Sequence, residues 1–281
     1  MNRATIARPI TATGTALHAG MAVTMTLSPA PPGAGVIFER SDIGKAVPAR
    51  WDLVGETRLG TVIELDGASI GVIEHLMAAV AGAEIDDLLV TLDGPEPPIL
   101  DGDSLSYLAL LDQAGRREQA MPRRALKVLR PVTAGDGKGQ ATLHPAAALS
   151  YHFELSYPSP AIGTQHFALA FSREAFARDI APARTFGFVS ELDYLKSINR
   201  GHGASLENTL AIDGDTVLNR EIMRFPDEFV RHKILDAIGD MALAGAPLVA
   251  RFEGVRSGHG LNNALLRALF ADPANYGWVE L

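Results

Sequence analysis

Cysteine is absent from all 281 residues, which excludes a disulfide framework and any thiolate metal site, so a metal on this chain would have to sit on His, Asp or Glu. Long apolar runs are missing as well. No stretch approaches the roughly 20 consecutive apolar residues that cross a bilayer, and the first residues, MNRATIARPI, lack the apolar core of a secretory signal. A cytoplasmic protein with no transmembrane segment is therefore expected. Positive charge is scarce: 25 Lys and Arg against 33 Asp and Glu leave a net charge of -8, and the basic residues are scattered. That argues against a nucleic-acid scaffold, while a local basic pocket for a phosphorylated small molecule stays open.

Several catalytic strings are missing too. Neither HExxH nor HxxEH occurs, which removes the familiar zinc-protease readings. GHGASL, from Gly201 to Leu206, lacks the third glycine of a dinucleotide fingerprint, there is no Walker A string, and Ser257-Gly258 does not complete GxSxG.

What is present reads as globular. A chain that is 47% hydrophobic and 21% charged is neither disordered nor membrane-embedded, and its length favours two medium domains. Thr26-Leu27-Ser28-Pro29-Ala30 leads to Val36-Ile37-Phe38-Glu39, and Thr142-Leu143-His144-Pro145-Ala146 leads to Tyr151-His152-Phe153-Glu154. In each half, strand-like stretches precede a helix-like one and then a β-rich exit: Glu74 to Ala83 before Leu88 to Leu92, and Asp227 to Ala244 before Leu248 to Phe252. This predicts a duplicated α+β unit. The polar stretch Arg116 to Arg124 interrupts the pattern and marks the boundary, and a cleft between two such halves is a common ligand site.

The segment Asp227 to Ala244 is the most informative. Asp227 and Glu228 suit a helix N-terminus, and Ile234, Leu235, Ile238, Met241 and Ala242 form an apolar stripe. His232, Asp236 and Asp240 recur every four residues and stack along another side. His232 and Asp236 can thus aim a nitrogen and an oxygen at one point, although an HxxxD pair alone is more often a solvated helix face. Glu74-His75, opening the first half's helix, adds a third ligand type beside a carboxylate. Three protein ligands leave the fourth position of zinc for water, the composition of a hydrolytic site, and Glu74 is placed to take that water's proton. His259, between Gly258 and Gly260, reads as a loop histidine available as an acid or as a plain surface residue. Lys233 is a point charge for a phosphate, or a surface lysine.

The strings TGTALHAG (Thr13 to Gly20), IEHLMAA (Ile73 to Ala79), PPILDG (Pro97 to Gly102), ARTFGF (Ala183 to Phe188), FPDEFVRHKILDAIGD (Phe225 to Asp240) and SGHGLNN (Ser257 to Asn263) run through nearly the whole chain. On them it resembles the UDP-3-O-acyl-N-acetylglucosamine deacetylases of lipid A synthesis. The resemblance implies an α+β fold of two similar β-α-α-β sandwich domains with the active site between them, here 1–122 and 123–281. It implies that His75, His232 and Asp236 hold Zn(2+) and that Glu74 is the general base. It also implies that His259 is a cation oriented by Asp240, that Thr185 supports the tetrahedral intermediate, and that Phe186 and Lys233 contact the sugar and diphosphate.

An acyl-chain-binding insert in the second domain should fall near 190–213, where Leu192, Leu195, Ile198 and Leu206 are candidates for apolar lining. The expected partner is a UDP-linked acylated amino sugar, with no nucleic acid, and a monomer is expected. Three motifs depart from the family's usual ones without touching a ligand: Gly71-Val72-Ile73-Glu74-His75, Ile85-Asp86-Asp87 and Asp101-Gly102-Asp103-Ser104. Tyr157-Pro158-Ser159-Pro160-Ala161-Ile162 puts Ser159 where the family has a histidine near the uridine. A paralogue acting on a related acylated amino sugar, and a non-catalytic metal-binding regulatory paralogue, are the alternative readings.

Overall fold

The computed structural model describes all 281 residues and contains six α-helices: α1 (Glu74–Gly82), α2 (Leu105–Ala114), α3 (Arg173–Asp179), α4 (Leu192–Ser197), α5 (Glu228–Ala242) and α6 (His259–Ala271). They combine with five sheets into an α+β fold.

The two larger sheets share an order of neighbouring strands. One sheet runs Ile10–Thr15, Ala22–Pro29, Leu88–Leu92, Val36–Arg40, Lys45–Pro48. The other contains the same sequence of neighbours: Val132–Gly135, Gln140–Pro145, Leu248–Val255, Ser150–Ser156, Thr164–Ala170. In both, the strand that follows the long helix enters between an antiparallel and a parallel neighbour: Leu88–Leu92 in the first and Leu248–Val255 in the second. The two Thr-Leu-x-Pro segments occupy equivalent places, with Leu27 opposite Val90 and Leu143 opposite Phe252. The second sheet is extended by Arg124–Val128 and Tyr276–Glu280.

Side-chain alternation explains why these strands form. Val23, Met25 and Leu27 point to the core from Ala22–Pro29, and Leu248, Ala250 and Phe252 do so from Leu248–Val255. Arg116–Pro122 is more regular than its polarity suggests. It is a strand paired antiparallel with Asn2–Ile6, although only Gln119 on it is buried.

Helix α5 also departs from expectation. Ile234, Leu235, Ile238 and Met241 of its apolar stripe are buried, and so are His232, Asp236 and Asp240, because α1 and α6 cover the side that would otherwise face water. Glu228 does more than favour the helix N-terminus. Fully buried, it accepts hydrogen bonds from the backbone N–H groups of Arg184 at 3.0 Å, Arg224 at 2.5 Å and Phe225 at 3.2 Å. Asp227 instead pairs with Arg231 at 2.6 Å.

Helices α1 and α5 touch backbone to backbone at Gly239. A Cβ there would lie 2.0 Å from the carbonyl oxygen of Glu74, so only glycine permits this approach. Gly239→Ala must push the two helices apart. We expect a loss of about 1–3 kcal/mol or more, read as a lower denaturant midpoint at unchanged slope; an unaltered midpoint would show that the contact yields without cost.

Candidate active site

Glu74 and His75 open α1 just after Val72, whose backbone lies at φ +54°, a conformation that β-branched residues rarely adopt. The carbonyl of His75 accepts the hydroxyl of Ser104 at 2.7 Å. One turn of α5 presents His232 and Asp236 to the same point. Nε2 of His75 lies 3.7 Å, and Nε2 of His232 3.4 Å, from Oδ1 of Asp236, and the two rings stand nearly perpendicular with centroids 4.9 Å apart. One potential ligand atom from each residue falls within 4.8 Å of the others.

The donor set fits a cation. Oδ1 of Asp236 is buried, faces both imidazoles and has no hydrogen-bond partner. Nδ1 of His232 is 3.1 Å from the Ala183 carbonyl, which fixes the proton on that nitrogen and leaves Nε2 as a lone pair. Burial holds both imidazoles in the neutral form, taking His75 down to about 3 with the neighbouring His232 adding to the effect. Burial pulls the Asp236 carboxyl upward, but Lys233 and the surrounding imidazoles outweigh it and keep the group well below the usual carboxylate range. Lys233 donates to the other Asp236 oxygen at 2.6 Å. Two neutral nitrogens and a carboxylate converging on one point make a site that a divalent ion would complete.

Beside it stand Glu74, His259 and Asp240. Oε2 of Glu74 accepts the N–H of Thr61 at 3.0 Å, and Oε1 is 3.8 Å from Nε2 of His259. Burial raises the Glu74 carboxyl to about 7; His259 opposes this, while Asp236 and Asp240 add to it. Nδ1 of His259 donates to Asp240 at 2.9 Å. Burial disfavours the imidazolium, yet Asp240 and Glu74 more than compensate and lift His259 to about 9. His259 is not the loop residue its glycine neighbours suggest; it is the first residue of α6, with Gly258 extended before it.

These groups sit on a cavity of about 770 Å³. Thr185, Phe186 and Lys233 all line it, whereas Asp240 stays behind His259. Its apolar wall comes from the segment between α3 and α5. Phe186–Phe188 pairs in parallel with Leu210–Asp213, α4 lies between them in the chain, and Thr216–Val217 completes a small sheet. Leu192, Leu195 and Leu206 face the cavity as expected. Ile198 does not; it borders a separate small recess beside His18, because the chain turns away after α4. Tyr157 lines the cavity with its ring 5.3 Å from Phe188, while Ser159 points elsewhere and donates to the Gly214 carbonyl at 2.6 Å.

Three neighbours complete the surroundings of these side chains without being among the residues expected from the sequence to act: Thr61, Ser104 and Asn262. Asn262 lies within SGHGLNN, one of the strings that carry the resemblance, and Ser104 just beyond another, PPILDG, but Thr61 sits in a segment with no such mark.

The family model described as LpxC, UDP-3-O-acyl N-acetylglycosamine deacetylase, matches residues 3–271. The chain belongs to this family. The UDP-3-O-acyl-N-acetylglucosamine deacetylase of Myxococcus xanthus (strain DK1622) is 44% identical over 277 residues, covering 98% of this chain and 88% of the relative. That of Phenylobacterium zucineum (strain HLK1) is 45% identical over 273 residues, 96% of this chain and 93% of the relative. As a member of the LpxC family, the chain is a deacetylase, an amide hydrolase, and its family is one of metalloenzymes. No helix is long and apolar enough to cross a membrane.

Proposed function

We propose that the protein removes the N-acetyl group from UDP-3-O-(3-hydroxyacyl)-N-acetylglucosamine and releases acetate, as a monomeric cytoplasmic enzyme of lipid A biosynthesis. The observation that carries this reading is the convergence of His75, His232 and Asp236 at a cavity whose far wall is apolar. These three residues would hold Zn(2+), which when bound supplies a Lewis acid for the amide carbonyl and acidifies water. We also propose that 1–122 and 123–281 are two β-α-α-β domains, on the strength of their matching strand orders.

The remaining chemistry belongs to the protein's own side chains. Glu74, with a carboxyl near 7, accepts the proton of water at neutral pH and is held toward the site by the Thr61 N–H. Water adds to the acetamide carbon, the C–N bond breaks, the oxygen leaves in acetate and the amine nitrogen takes up a proton. His259, cationic and backed by Asp240, stabilises the negative charge that gathers on the carbonyl oxygen and can supply that proton. Thr185 borders the same space, and Phe186, which also lines it, would contact the sugar. Lys233 already pairs with Asp236, so its second role, toward the diphosphate, uses the remaining ammonium hydrogens. The half-exposed Leu192 and Leu206 suit an acyl chain. The presence of both Glu74 and His259 argues against a non-catalytic paralogue.

The test is metal analysis joined to an acetate-release assay on the UDP-linked substrate. A zinc-loaded protein that releases no acetate from it, but does from a related acylated amino sugar, would overturn the substrate assignment.

His259→Ala should lower kcat about 100-fold to 1,000-fold with metal retained, the usual consequence of losing one stabiliser of an oxyanion. Asp240→Asn acts in the same direction. Because Asp240 holds the His259 pKa above its ordinary value, removing its charge lowers that pKa, the cation disappears at lower pH, and the alkaline limb of the kcat profile shifts downward. An increase in KM alone, with both kcat and that limb unchanged, would make His259 a binding residue.

A further inference from the structure

We propose that Thr61 is a positioning residue of the hydrolysis, coupling the proton acceptor to the carboxylate behind the imidazole; this rests on the reading of Glu74 and His259 as the acid-base pair. Thr61 is 2% exposed and makes contact with both partners at once. Its backbone N–H donates to Oε2 of Glu74 at 3.0 Å, and its hydroxyl donates to Oδ1 of Asp240 at 2.5 Å. Its carbonyl in turn accepts the N–H of Ile73 at 3.4 Å, fastening the loop to the start of α1.

The other Asp240 oxygen is already occupied. Oδ2 accepts Nδ1 of His259 at 2.9 Å and the Asn262 amide at 2.8 Å, and Asn262 is itself held by the Ser257 hydroxyl at 2.6 Å. Oδ1 has Thr61 as its single partner. Without that bond the carboxylate is anchored through Oδ2 alone, and its plane can tilt about that anchor together with the imidazole. With it, the plane of the carboxylate is set, and so is the direction in which Nε2 of His259 points, 3.8 Å from Glu74. Gly60 makes the close approach possible: at φ +144° it brings the chain so near that a Cβ would stand 2.9 Å from Oε1 of Glu74.

A structural threonine and a positioning one differ in measurable ways. Thr61→Val keeps the shape and the backbone bond to Glu74 but removes the hydroxyl. We expect kcat to fall about 10-fold to 100-fold, with KM and zinc content unchanged, and Thr61→Ser to restore most of the loss. In a His259→Ala background the same change should cost no more than about twofold, since the group through which Thr61 acts is gone. Should Thr61→Val fail to fold, Thr61→Ala carries the same comparison. Wild-type kcat in the hydroxyl-free variant, or an equal loss in both backgrounds, overturns the inference while leaving the acid-base pair intact. Wild-type kcat in His259→Ala would instead overturn that pair, and this inference with it.

Discussion

Alanine at His75, His232 or Asp236 is expected to strip the protein of zinc and of activity together. The three candidate ligand atoms lie within 4.8 Å of one another, and any two that remain would offer an ion too few protein donors to close the site proposed for it. Residues behind a ligand change metal affinity by about 10-fold to 100-fold, so removal of a ligand should exceed that range. Zinc content after purification at defined free metal is the measurement. Asp236→Ala carries an extra burden, since it leaves Lys233 without its partner, so each variant must first be checked for native secondary structure and cooperative unfolding. Stoichiometric zinc retained in all three folded variants would sink the assignment, and metal loss from a misfolded one would not support it.

Glu74→Gln should separate metal binding from turnover. The amide matches the carboxylate in size and can still accept the Thr61 N–H, but it cannot take a proton. Zinc should therefore stay while kcat falls about 100-fold to 10,000-fold. The pH profile offers a second check. With its carboxyl raised to about 7 by burial, Glu74 is the acceptor only above that value, so wild-type activity declines as pH falls through it. The acid limb should vanish from the residual activity of the variant. Near-normal turnover in Glu74→Gln would mean that hydrolysis proceeds without this base.

Much of the site was legible because its chemistry is written locally. The four-residue interval between His232 and Asp236 is a property of one helix, and Glu74-His75 is a dipeptide. The repeated Thr-Leu-x-Pro segments, read as a sign of a duplicated α+β unit, lie on equivalent strands of the two larger sheets. Reading failed where local signals were ambiguous. Arg116–Pro122 is exposed at every position but Gln119, so no alternation betrays the strand that backbone pairing with Asn2–Ile6 creates. Gly258 and Gly260 suggested a loop around His259, where Gly258 in fact precedes the first turn of α6. Ile198 sits among leucines that face the cavity, but the turn after α4 carries it elsewhere.

Residue type and short spacing by themselves thus determined the family and pointed to a candidate ligand set, because each is a relation between neighbours along the chain or a string long enough to be specific. Tertiary structure alone decided that Glu74 meets His259, that Thr61 reaches Asp240 across 179 positions of sequence, and that burial shifts His75 and His232 toward the neutral form. The physical reason is the backbone contact of α1 with α5 at Gly239. Side chains 13 to 185 positions away from Glu74 gain their separation, desolvation and protonation state from that packing, and no local pattern encodes it.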